Sequence, residues 1–220
     1  MTCHSWRRGA AVLMFTMLAA RPAVAVILDF EALAHADADA STVGILEEDG
    51  FRLTSNIDPV FADQAFGVWG SASENFNGST AVFNAYPGFV TTLRTISGDP
   101  FTANRIDVGP LAPDLEGQIT FVGRRVDDSE VTATFSFGPS LSPPSSITFG
   151  SGFSTLASLS WEQDGVLAHQ FDNIDVVAAA PVPEPRTYLL VAVGLGLLLW
   201  GASRHRRHAR TRIGSGRLRR

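Results

Sequence analysis

Between residues 26 and 180 the apolar residues come in short runs rich in Val, Ile, Phe and Thr, broken by Gly, Pro, Asp, Asn and Ser. No run sustains the 3.6-residue period of an amphipathic helix, and only a short turn is expected within 32–40. Such a chain can bury its apolar side chains only by pairing strands, because a period near two sets alternate residues on one face. Ten strands are predicted, at 26–31, 50–55, 80–84, 88–96, 103–108, 118–124, 130–137, 146–149, 156–161 and 169–177. The clearest is 130–137, with Val131, Ala133, Phe135 and Phe137 on one face and Thr132, Thr134 and Ser136 on the other. About ten strands in about 150 residues predict an all-β fold, a two-sheet sandwich.

Charge divides the chain sharply. There are 17 arginines and no lysine. Residues 26–180 hold five arginines against 21 acids, a net −16, whereas Arg204 onward holds eight arginines and no acid. An acidic body outside and a basic tail inside is the asymmetry of a chain held at a membrane. The acidic body excludes nucleic acid as a partner, since phosphate binding needs clustered cations. Cys3 is the single cysteine, so disulfides do not hold the body.

Both ends carry export features. Arg7 and Arg8 precede an apolar run at 10–20 and then Ala23-Val24-Ala25. That order of basic, apolar and small residues reads as a signal peptide over 1–25, removed by signal peptidase to leave Val26 first. The run is shorter than the roughly 20 residues that a membrane span needs. At the other end, Val182-Pro183-Glu184-Pro185 precedes an uncharged stretch over 187–203, flanked by Tyr188 and Trp200. Its 17 residues reach the lower limit for a spanning helix. Arg204, Arg206 and Arg207 follow as a stop-transfer cluster, and the prolines ahead form a stiff spacer.

The Val-Pro-Glu-Pro motif, the short apolar helix and the arginine-rich end together resemble the PEP-CTERM sorting signal over 181–210, with the motif at 182–186. The resemblance implies processing by exosortase, a membrane-embedded cysteine transpeptidase that cuts near the motif. It implies a body on the outer side of a bacterial inner membrane, later passed to the envelope or the exterior. The basic tail at 211–220 is longer than the usual few residues.

Strand 169–177 contains a conflict. Asp172 shares its parity with Ile174 and Val176, so strict alternation would bury a carboxylate among them. Burial requires an ion pair, hydrogen bonds or a metal. A bulge at Asp172-Asn173 is the other escape and would turn Phe171 inward. Leu28-Asp29-Phe30-Glu31, Gly50-Phe51-Arg52-Leu53 and Phe171-Asp172-Asn173-Ile174 resemble the jelly-roll domains common on PEP-CTERM proteins, which are similar in turn to carbohydrate-binding-module sandwiches. There an acid near the first strand and the aspartate of the last often share a structural calcium. The resemblance assigns that role to Glu31 and Asp172, with Asp29 as a further candidate.

No catalytic motif stands out. His35 and His169 are the histidines of residues 26–180, and the body has no nucleophile elbow, zinc-helix pair or phosphate loop. His169 is expected at the surface or at a strand end. The acidic groups Glu47-Glu48-Asp49, Asp127-Asp128 and Glu162 with Asp164 read as solvated turns. Asp37, Asp39, Ser41 and Glu48 imitate calcium-loop spacing, but Thr42 stands where the loop wants glycine. Trp69, Phe76 and Tyr86 lie in a Gly/Asn/Ser-rich stretch at 67–88. Exposed there, Trp69 and Tyr86 would stack on sugar rings; the competing reading has these rings plugging the core. The expectation is a non-enzymatic, exported envelope or matrix protein. The first alternative is a module recognising exopolysaccharide, and the second is a hydrolase on a lectin-like sandwich.

Overall fold

The computed structural model describes residues 24–162, 168–179, 191–196 and 198. It forms two compact units, Met1–Ala180 and Pro181–Arg220. The described part of the first unit is all-β. Its strands are β1 (Val24–Leu28), β2 (Ala40–Val43), β3 (Leu46–Glu48), β4 (Phe51–Ser55), β5 (Phe66–Trp69), β6 (Val82–Asn84), β7 (Val90–Thr95), β8 (Phe101–Pro110), β9 (Gly117–Arg125), β10 (Glu130–Phe137), β11 (Ser145–Thr148), β12 (Leu156–Glu162) and β13 (His169–Ala178).

All pairings are antiparallel and follow two ladders. One runs β2-β5-β6-β13-β8-β11, with β1 beside β13 where β6 stops; the other runs β3-β4-β7-β12-β9-β10. A single pair, Leu156 with Phe101, joins them. Rings close the space between the sheets: Trp161 meets Phe171 at 4.9 Å, Phe121 meets Phe149 at 5.1 Å, and Phe51 meets Phe101 at 5.5 Å. Leu28, Leu53, Leu93, Ile106, Leu159 and Ile174 are fully buried beside them. Each such aliphatic or Phe side chain contributes roughly 1.5–3 kcal/mol by leaving water.

The expected β10 strand is present with its bounds unchanged. It pairs with β9 in even register from Glu130 opposite Arg124 to Phe137 opposite Gly117. Asp127-Asp128 forms the turn, as expected: Asp128 adopts φ 65°, and Asp127 accepts the Ser129 N–H and hydroxyl at 3.1 and 2.6 Å. Those bonds hold the Asp127 carboxyl below its ordinary pKa. The strand expected at 26–31 stops at Leu28, because Phe30 turns left-handed (φ 53°) into a 3-10 turn at Glu31–Leu33.

Strands β2, β3 and β5 were not expected. With three or four residues each, they show no countable alternation. Gly67 in β5 lies directly under the Phe83 ring, where a Cβ would stand 2.3 Å from it.

The β13 conflict is settled by a bulge. Register steps from Asp172 opposite Asp107 to Asp175 opposite Arg105, a local extra residue on β13 that is matched by an extra one on β8 before Val176 opposite Ala103, and Asn173 takes φ 47°. Phe171, Ile174 and Val176 all join the core, so Asp172 lies on the opposite face of the sheet from them. In the second unit, residues 191–196 and 198 are helical. Among the described residues no helix is long and apolar enough to cross a membrane. The expected span at 187–203 is described only at those positions. The signal peptide through Ala23, the motif Val182, Pro183, Glu184 and Pro185, and Arg204, Arg206 and Arg207 lie outside the described residues.

Candidate functional site

Glu31 stands in the turn after β1, and its carboxylate reaches the 77–80 segment. Oε1 accepts the Thr80 N–H at 3.2 Å and the Ser79 hydroxyl at 3.1 Å, and Oε2 accepts the Thr80 hydroxyl at 2.9 Å. The same Ser79 hydroxyl lies 2.6 Å from Asp172 Oδ2. Asp172 is 1% exposed and also accepts the Asn173 N–H at 2.7 Å. The Asn173 amide nitrogen bridges Asp172 and Asp107 at 3.1 Å each.

Burial, reinforced by the nearby Glu31 and Asp107 charges, raises the Asp172 pKa to about 6 against the pull of Ser79 and Asn173. A lone serine proton cannot donate to two carboxylates at once. Of its two contacts the one to Asp172, at 2.6 Å, is the shorter, so the Ser79 hydroxyl donates there and lies against Glu31 at 3.1 Å.

The fold therefore brings together the two acids expected to share calcium, but joins them through a serine. Their oxygens already receive O–H and N–H donors, which is the arrangement of a hydrogen-bonded pair. Among the described residues no group of three or more His, Cys, Asp or Glu gathers to hold a metal ion. The calcium-loop imitation dissolves into strands: Ser41 and Thr42 belong to β2, and Glu48 in β3 accepts the Phe30 N–H at 3.2 Å. Burial raises the Glu48 pKa.

Glu31, Ser79 and Thr80 open onto a cleft of about 360 Å³, also lined by His35, Trp69 and Phe76. Trp69 ends β5 opposite Ala40, half-buried, with its ring stacked on Phe83 at 5.2 Å and 27°. Phe76 is half-buried in the following loop. That loop is tied to the 35–39 segment by Gly70 N–H to Asp39 (3.4 Å), Ser71 N–H to His35 (2.9 Å) and Ala72 N–H to Asp37 (3.3 Å). The approach at Gly70 is so close that a Cβ would stand 2.1 Å from the Asp37 carbonyl.

Trp69 is thus a strand end beside a cleft, not an exposed loop residue. Tyr86 is absent from the cleft lining; it packs half-buried against Phe61 at 5.8 Å and Phe89 at 6.4 Å. His169 opens β13 as a strand end but is 1% exposed, against the Phe137 ring, because the end of β13 lies inside the sandwich. Ser79, Thr80 and Asp107 were not flagged by sequence. A second hollow, about 420 Å³, lies along β7, β9 and β12 and is lined by Val90, Gln118, Thr120, Val122, Ser160 and Glu162. Its one aromatic, Trp161, is buried.

No protein-family model matches the sequence, and no curated protein matches it. Among solved structures the chain is similar to family 29 carbohydrate-binding modules. Two point mutants made to probe ligand recognition by that family match at TM-score 0.39, with 9% and 8% identity, over 71% and 72% of this chain and 92% and 86% of theirs. A third, described as a family 29 carbohydrate-binding module, matches at TM-score 0.39 and 8% identity over 72% of this chain and 89% of its own. Likeness at this level says nothing of a ligand, and the cleft has to be read from its own side chains.

Proposed function

We propose that the chain is an exported, non-catalytic carbohydrate-binding module that recognises exopolysaccharide at the Trp69–Phe76 cleft. One observation carries this reading: one open cleft sets two aromatic rings beside a carboxylate, an imidazole and three hydroxyls. Sugars need that combination, an apolar ring face to stack on and donors and acceptors for their hydroxyls. Glycosidase chemistry is a poorer fit. It needs two carboxyls facing one scissile bond. Glu31 lines the cleft, whereas its partner Asp172 is covered.

Delivery rests on the sequence alone: signal peptidase removes 1–25, and exosortase processes the chain near Pro183-Glu184-Pro185 after its helix has paused in the inner membrane. Mass spectrometry of the mature protein checks this half, since an intact arginine tail would leave a plain membrane anchor. Glycan-array binding checks the other half. Trp69→Ala and Phe76→Ala should each weaken binding about tenfold or more, as expected for a lost stacking contact of 1–2 kcal/mol. Binding by neither the parent chain nor any variant would overturn the module reading and leave the sorting reading intact.

A further inference from the structure

Strands with a free side are a hazard that proteins usually blunt by shortening them, bulging them or placing Lys or Pro on them. Four of the free-sided strands among the described residues follow this rule. β1, β2, β3 and β11 have five, four, three and four residues. The fifth does not. β10 has eight residues, pairs only with β9, and shows no register shift along its length. Its sequence, Glu-Val-Thr-Ala-Thr-Phe-Ser-Phe, contains no Pro, Gly, Lys or Arg, and its single charge, Glu130, stands at the end. Val131, Ala133 and Phe135 point to the core yet remain half-buried, because no described strand covers them from the outer side.

The strand is also complementary to itself. Two copies set antiparallel about Ala133 place Val131 opposite Phe135, Thr132 opposite Thr134 and Glu130 opposite Ser136, with all core-facing residues on one side. No like charges meet, and a small residue sits at the two-fold axis between larger ones. We propose that β10 pairs with β10 of a second copy, joining the sandwiches edge to edge in a two-fold dimer. The partner is another copy of this chain because the register satisfies the backbone and buries both apolar triplets at once. The dimer leaves the Trp69 cleft unused, so it stands or falls independently of sugar binding. Each body carries a net −16, so rising ionic strength should tighten the pairing.

Sedimentation velocity on the full chain in mild detergent tests the proposal, with hydrogen exchange read along β10. The parent chain should show a concentration-dependent dimer with protected β10 amides. The double variant T132K/T134K sets two lysine pairs face to face and should weaken association roughly tenfold or more, with the melting midpoint nearly unchanged. The charge-swapped variant T132E/T134K, equally substituted, sets Glu against Lys twice and should restore the dimer. A parent chain that stays monomeric throughout, or a T132K/T134K variant that associates as the parent does, would overturn the proposal.

Discussion

Asp172 links stability to pH in a direction opposite to most carboxylates. Its folded pKa of about 6 lies above the usual value near 4, so the folded chain holds a proton that the unfolded chain releases. Ionisation therefore weakens the fold: the penalty is complete above pH 6 and lifts as pH falls from about 6 to about 4. The melting midpoint should rise between pH 7.5 and pH 5, and Asp172→Asn should remove that share of the slope. Parallel slopes in the two proteins would refute the assignment. Ser79→Ala deletes the hydroxyl between Glu31 and Asp172 and should cost about 1–3 kcal/mol in chemical denaturation, since it strips a buried acid of a partner. If donors and not calcium hold this pair, a chelator leaves the midpoint of the parent chain unmoved; a fall on chelation would hand the pair to the metal.

At the scale of elements, the strand-end cleft depends on how closely β5 leads into its loop. Gly70→Ala forces the 35–37 segment away from the loop and should cost about 1–3 kcal/mol by overpacking, with glycan binding lost in parallel. A variant of unchanged stability and binding would show that the segment yields freely. The same elements show what sequence can reveal. β10 was legible because eight residues alternate without interruption, and the Asp172 bulge because a carboxylate broke the parity of its own strand. β2, β3 and β5 were not legible, since three or four residues carry no period. The cleft was half legible. The Gly/Asn/Ser-rich stretch points to Trp69 and Tyr86 as the sugar-stacking pair, but composition cannot say which way a side chain faces: Phe76 lines the cleft with Trp69, and Tyr86 packs elsewhere. Ser79 meets Asp172 across 93 residues and Thr80 meets Glu31 across 49, distances over which no local pattern operates.

At the scale of the first unit, two layers of antiparallel strands around a ring-filled core carry, among the described residues, a cleft that sets Trp69 and Phe76 beside Glu31 and His35. Removing 1–25 would leave β1 its pairs from Val26 with Val176 to Leu28 with Ile174, so processing is compatible with the sandwich. The most direct measurement is affinity electrophoresis of the parent chain and Phe76→Ala through gels containing bacterial exopolysaccharide. Phe76 sits in a loop outside the buried core, so its loss should leave the fold melting as before. The polysaccharide should retard the parent chain and not the variant; equal mobility of both, with or without polysaccharide, would refute binding at this cleft.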